Sequence, residues 1–415
     1  MTEEATDSNG GARRPRAYWL FFLFAMFLNE IWDTYNTTYP DAIVSEVRAF
    51  YGVTTAQYAW YLGWFSLGTY FVFVAQVLVD RVGRRPMLVA VFAGYGVANL
   101  MLNFAPTIQA YSAAMFLLYT CFSSDVWTIM VGEEAPPGKR AKYTSLVLVV
   151  GAAAVLPVSL GRAYLIPAFG WRAMTWFGLA ALPLSLLLLK VKETPVYEEL
   201  KEKKERGDAS DAPLRLGAVL SQPFRETYRW PFLVLLLGSF ALGVNYVFVK
   251  LGEDFLSNQR GFSDVDVGLV TVVVAVAAIS GFVLTGFLGD RAGRKPTFFL
   301  FSGLLPVGLA LLAHGNKPAI FVGILLAWMS FWGLGMLLRL VTIETFPTNA
   351  RGAATGWRTL AFAAGTSTGA FLTSLVEPVL GLAATFLAYA LAFVAYVPLF
   401  AIVVRETKGT SLSEA

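Results

Sequence analysis

Charge is scarce in this chain: Asp, Glu, Lys and Arg make up 14% of 415 residues, against 56% in the hydrophobic set. A soluble domain needs more charge to cover its surface, and its apolar stretches are cut into short amphipathic runs. There is one histidine, His314, and one cysteine, Cys121. A lone cysteine forms no intramolecular disulfide. With a single histidine there is neither a His/Cys metal cluster nor a Ser-His-Asp set. No G-x-x-x-x-G-K-[ST] loop occurs, so ATP-driven work and enzymatic chemistry are unsupported and neither a metal nor a cofactor is expected. The net charge of +4 does not imply nucleic acid, because the basic residues sit in short breaks between apolar runs.

What is present is length. The apolar runs 18–39, 87–104, 146–166, 232–249, 267–288 and 386–404 approach or exceed the roughly 20 residues that cross a hydrocarbon core as a helix. In lipid only a helix or a closed barrel satisfies its own backbone, and these runs lack the alternation of barrel strands. The expected fold class is all-α and integral to the membrane. Polar breaks divide it into twelve spans, beginning near residues 18, 56, 87, 108, 144, 172, 231, 265, 296, 318, 352 and 380. Residues 1–17 read as a polar tail without a cleavage site, 18–191 as a first six-helix bundle, and 192–229 as a linker with a short charged helix. Residues 230–405 read as a second bundle and 406–415 as a second tail.

Alternate breaks hold Arg81, Arg84 and Arg85; Lys139, Arg140 and Lys142; Arg291, Arg294 and Lys295; and Arg351, while the opposite breaks hold little beyond Arg48, Arg172, Arg260 and Lys317. This asymmetry predicts cytoplasmic termini in a multi-pass protein of the cell membrane, in contact with its lipids.

The two bundles repeat one another. Asp80-Arg81-Val82-Gly83-Arg84-Arg85-Pro86 returns as Asp290-Arg291-Ala292-Gly293-Arg294-Lys295-Pro296, an offset of 290 − 80 = 210. Glu133, Pro136 and Arg140 return as Glu344, Pro347 and Arg351, offset 344 − 133 = 211, and Lys192-Glu193-Thr194 returns as Arg405-Glu406-Thr407, offset 405 − 192 = 213. Three landmarks in the same order, all after even-numbered spans, indicate two parallel homologous halves.

The D-R-x-G-R-[RK] loops resemble the signature loop of the major facilitator superfamily. The E-x-x-P-x-x-x-R loops resemble those of its sugar-porter and metabolite:proton-symporter branches. Residues 344–357, ETFPTNARGAATGW, look like the E-x-[FY]-P-T-x-x-R-[GA] loop of organic acid, nicotinate-like and synaptic-vesicle-type members. The resemblance extends from Tyr18 to Thr407 and implies a monomeric secondary transporter working by alternating access. Within it, Asp80, Arg81, Gly83, Arg84, Arg85, Glu133 and Arg140, with Asp290, Arg291, Gly293, Arg294, Glu344 and Arg351, are expected to form a latch, made when the cytoplasmic side closes. The alternative reading is a set of topology signals and lipid contacts.

Ionisable groups inside spans are costly enough to be functional candidates. Glu30 and Asp33 lie near the midplane of the first span, three residues apart on one face. Like-charge repulsion and desolvation suit them to proton exchange; the alternative is a carboxylate fixed by Asn29 or Tyr35. The resemblance adds Asp125 in the fourth span as a proton-coupling partner of Asp33, with a structural pairing to Arg140 or Arg339 as the alternative. Arg162 and Arg339 are candidate clamps for a substrate carboxylate, unless they pair with Asp33 or Asp125. Lys250 is a third candidate, with an ion pair to Glu253 or Asp254 as the alternative, and Arg358 reads as a snorkelling side chain. Trp32, Tyr35, Trp127, Tyr246, Trp332 and Trp357, with Asn29, Asn36 and Asn245, are expected around the solute. The expected function is proton-coupled symport of a small organic solute, foremost a carboxylate. An efflux antiporter, for which residues 151–161 lack the G-P-x-x-G-G pattern, a uniporter and a non-transporting receptor remain the alternatives.

Overall fold

The computed structural model of the chain describes residues 15–71, 78–79, 81–121, 126–135, 140–205, 221–225 and 228–408, and among them there is helix and turn but no β-strand. Among the described residues, ten helices are long and apolar enough to cross a membrane. Span three is Arg84–Phe104, span five Lys142–Phe169, span six Trp171–Leu188, span seven Arg229–Arg260, span eight Asp264–Ala292 and span nine Arg294–His314. Span ten is Lys317–Thr345, span eleven Ala350–Leu380 and span twelve Leu382–Val403. Span four begins as Ile108–Cys121 and resumes as Val126–Glu134. Span one, Arg16–Thr38, is a 23-residue helix whose mean apolarity is lowered by Asn29, Glu30, Asp33 and Asn36 in its second half. Span two runs from Thr55–Ser66 into the 3-10 turn Leu67–Phe71. These complete the twelve.

The repeat is visible in the backbone. The positive-φ glycines are Gly52, Gly83, Gly170, Gly261, Gly293 and Gly381, which pair at offsets of 261 − 52 = 209, 293 − 83 = 210 and 381 − 170 = 211. Gly52 and Gly261 each close a helix two residues before a capping box, formed by Thr54 with Gln57 and by Ser263 with Asp266. The same local chemistry therefore starts spans two and eight.

Small residues set how closely helices approach. A Cβ on Gly365 of span eleven would lie 2.0 Å from the Phe240 carbonyl of span seven, and one on Gly243 would lie 2.2 Å from the Phe362 carbonyl. Backbone-on-backbone packing of this kind is how helices associate where lipid offers no hydrophobic contrast. Two spans are interrupted. Span seven turns at Tyr246 between Arg229–Asn245 and Val247–Arg260. Span five contains a π-helical turn, Gly161–Leu165, in which the Ile166 N–H reaches back to Gly161. Pro167, with no N–H to give, follows at once, and the widened turn carries Arg162.

Span one starts, and span twelve ends, on what we term the tail face. The ion pairs, hydrogen bonds and ring contacts that join the two halves among the described residues lie from mid-depth to the opposite, far face. Ser66 and Ser367 share a hydrogen bond at 3.0 Å, and the Phe371 ring lies 5.0 Å from Trp60 and 5.8 Å from Trp64. The Ser159 hydroxyl donates to the Gly268 carbonyl at 2.7 Å, where a Cβ on Gly268 would come within 2.8 Å of the Ser159 oxygen.

Candidate functional site

The tail face carries the same bracket twice. In the first half the Arg84 guanidinium meets Glu133 at 3.0 Å, Thr194 donates to Glu133 at 2.5 Å, and Glu193 accepts the backbone N–H groups of Arg84 and Arg85 at the start of span three. In the second half Arg294 meets Glu344 at 2.7 Å, Thr407 donates to Glu344 at 2.5 Å, and Glu406 accepts the N–H groups of Arg294 and Lys295. A carboxylate at a helix N-terminus satisfies orphan donors and complements the dipole. Gly83 and Gly293 permit it: a Cβ there would lie 2.5 Å and 3.0 Å from a carboxylate oxygen of Glu193 and Glu406. All three sequence repeats thus converge in space. Each bracket stays within one half, so these contacts fasten spans two to six and eight to twelve internally rather than joining the halves. Asp80 and Asp125 lie outside the described residues, as does the side chain of Arg140. Asp290 is exposed and pairs with Arg294 at 2.7 Å. Arg81 and Arg291 are exposed; their carbonyls accept from Tyr197 and Lys408, the Arg291 guanidinium lies over the Phe287 ring, and Arg351 donates to the Phe346 carbonyl.

Four backbone N–H donors, from Lys295, Arg294, Lys408 and Thr407, outweigh the desolvation of Glu406 and hold its carboxyl below the ordinary value of 4.5. A depressed carboxyl stabilises the fold fully above that ordinary value, and the stabilisation disappears as pH falls through the folded value. Glu406→Gln is therefore expected to lower the thermal unfolding midpoint by a few degrees at pH 7, with the difference from wild type vanishing in acid; a pH-independent difference would contradict this.

The far face is closed by buried ions drawn from both halves. Arg162 reaches Glu253 at 3.0 Å, Asp264 at 2.6 Å and Glu46 at 3.3 Å, with 2% of its side chain exposed. Glu253 also accepts the Ser45 N–H at 2.7 Å and the Ser45 hydroxyl at 2.5 Å. Arg48 pairs with Asp254, which accepts from Thr55 at 3.1 Å as well. Deeper, Lys250 makes a two-oxygen contact with Asp41, both at 2.9 Å, and lies over the rings of Tyr246 and Tyr119. Arg162 thus pairs across the halves rather than with Asp33, and Lys250 takes Asp41 rather than its sequence neighbours Glu253 and Asp254. Asp41, which the apolar pattern leaves in the loop after span one, was the missing partner; Tyr39–Ala42 folds as a buried 3-10 turn that swings it inward.

Beside this pair is a cavity of about 170 Å³ between the halves, lined by Thr37, Thr38 and Asp41 from one and by Tyr246, Thr271, Trp328 and Trp332 among others from the second. Tyr246 stacks on Phe331 and abuts Trp332 edge-on, which fixes both rings as walls. Of the sequence candidates, Tyr246 and Trp332 line this cavity and Lys250 stands behind it.

The others are placed elsewhere. The Trp32 indole donates to the Phe177 carbonyl at 3.0 Å, the Tyr35 hydroxyl to the Met174 carbonyl at 2.6 Å, and Asn36 accepts from Asn99 at 2.7 Å, so these three tie span one to spans three and six. Asn245 ties span seven to span twelve through the Tyr389 carbonyl, Trp357 packs on Phe224, and Asn29 and Trp127 are buried in the first half. Glu30 packs against span five at Gly151. Asp33 is half-buried, accepts a hydrogen bond from Tyr95, and lies one turn from Thr37 on the same side of span one.

Two pseudo-equivalent membrane bundles that meet at a closed far face around a small polar-aromatic cavity define a carrier. The chain belongs to the major facilitator superfamily: the profile titled Major Facilitator Superfamily matches residues 17–369 and 242–414. It is 24% identical to a niacin transporter of Acinetobacter baylyi, over 94% of both chains. It is also 24% identical to a sialic acid transporter of Escherichia coli, over 80% of this chain and 81% of that one. The inward-open structure of the xylose transporter of E. coli superposes with a TM-score of 0.75 at 16% identity, over 94% of this chain and 98% of that one. The protein is thus a multi-pass membrane transporter of small organic solutes.

Proposed function

We propose that this carrier takes a small organic anion through the cell membrane by proton-coupled symport, with the tail face cytoplasmic. The observation that carries this reading is the Asp41–Lys250 pair, which bridges the halves beside the cavity. While ionised, Asp41 occupies the ammonium of Lys250. A proton on Asp41 releases that ammonium for a solute carboxylate, so proton and anion bind together without leaving net charge in low dielectric. Tyr246, Trp328 and Trp332 then hold an apolar or aromatic body. Niacin and sialic acid, named for the two relatives, are both carboxylic acids, which agrees with this division of labour.

Asp33, one turn from the cavity-lining Thr37 and bonded to Tyr95, is the candidate relay towards the tail face, with Glu30 and Asp125 as further candidates. On this reading a carrier closed at the far face exchanges solute at its tail face. The test is uptake of nicotinate and N-acetylneuraminate into proteoliposomes with and without an inward proton gradient. Accumulation driven by the gradient supports the reading. Exchange indifferent to the gradient rejects coupling, and binding without flux would identify a receptor.

A further inference from the structure

Arg339 in span ten and Arg358 in span eleven make no ion pair or hydrogen bond with any described residue, whereas Arg162 and Lys250 are each matched by carboxylates. The two lie close enough for their like charges to act on one another, and the Arg358 Nε is buried without a hydrogen-bond partner. Arg339 is exposed. Its position identifies where: Trp328, Trp332 and Arg339 follow at steps of four and seven residues (332 − 328, 339 − 332), which is one helix face, and both tryptophans line the cavity between the halves. Arg339 therefore lies on the face of span ten that borders the cavity, about 10 Å from Trp332 towards the tail face at 1.5 Å rise per residue. Arg351 continues the row. It precedes Arg358 by 358 − 351 = 7 residues on the same face, and its Nη2 is also without a partner.

Adjacent unmatched guanidiniums at membrane depth repel and are expensive to desolvate, and their forked donors fit a carboxylate from two sides. We propose that Arg339 and Arg358 form an oxyanion site on the tail side of the cavity that holds the carboxylate of a small solute on its way between the cavity and the tail face. This rests on the anion-carrier reading above and adds a second binding station to it.

The test is arginine modification by phenylglyoxal on full-length protein in phosphatidylcholine nanodiscs, followed by peptide mass mapping. Millimolar nicotinate is expected to slow addition at Arg339 and Arg358 at least threefold. Arg260, engaged with the Ala313 carbonyl at 3.1 Å, should be unaffected. Arg339→Gln should raise the nicotinate concentration that half-protects Arg358 at least tenfold. Absence of protection by nicotinate overturns the proposal, as does protection by inorganic phosphate alone. Slowing seen only with phosphatidylglycerol assigns the pair to lipid headgroups and equally overturns it. Protection without carboxylate flux in proteoliposomes would keep the site and remove the symport reading; flux without protection would do the reverse.

Discussion

Arg162→Ala is expected to open the far face and shift the carrier away from the far-face-closed form described above. The substitution strands Glu253, whose side chain is 4% exposed, without its cation, and leaves Asp264 and Glu46 facing it. Removing one partner from a buried pair costs about 3–5 kcal/mol. That penalty applies only while the far face is closed, because opening hydrates the carboxylates. A two-state equilibrium needs about 5.5 kcal/mol to pass from 1:99 to 99:1, so a shift of two to three decades is expected.

A reporter cysteine at Val267, buried at this interface, measures the shift in a background lacking Cys121. Labelling by a membrane-impermeant maleimide added from the far side should rise at least tenfold over the Arg162 parent. Arg162→Lys should restore part of the protection. Equal labelling of parent and Ala variant would mean that the ion cluster does not hold the far face shut.

Asp41→Asn is expected to abolish gradient-driven accumulation while leaving exchange of an anionic solute in place. Asparagine mimics the protonated acid, so Lys250 is permanently available to a carboxylate and binding no longer waits for a proton. Apparent affinity should then lose its dependence on pH, and concentrative uptake should fall at least tenfold in proteoliposomes. Lys250→Ala is the converse: Asp41, half-buried with 19% of its side chain exposed, loses its counter-charge, and solute binding should weaken by one to two decades. Lost accumulation in both variants with intact exchange in neither would point to damaged folding. Retention of coupled uptake by Asp41→Asn would sink the proton assignment. Asp33→Asn, measured alongside, separates a relay from the coupling site, since a relay variant slows uptake but keeps its pH dependence.

Much of the architecture was legible from residue order. Twelve apolar runs, the D-R-x-G-R-[RK] loops and the constant offsets near 210 announce two repeated bundles, because lipid forces each long apolar run to be a helix and a repeated unit repeats its turn chemistry. Even the Arg84–Glu133 and Arg294–Glu344 pairs follow from charge in matched loops. The brackets' confinement to one half was not legible: spacing along the chain is the same whether Arg84 bonds its own half or the other.

Side-chain partners across the halves were hidden for the same reason. Arg162 and Lys250 signal buried charge, but Glu253, Asp264 and Asp41 are as far as 209 residues away (250 − 41), and the apolar pattern that marks spans ends before Asp41. Trp32, Tyr35 and Asn36 look like binding residues by type, yet their donors and acceptors are consumed by spans three and six.

Taken alone, the order of residues determined what each segment must be in a membrane and that the chain is built twice, since hydrophobic length and turn residues act locally. Only the packing of one half on the other decided which of the costly charges are gates, which border a cavity, and which stand unmatched. A buried charge is stabilised by whatever lies within a few ångströms of it in space, and that distance is not written along the chain.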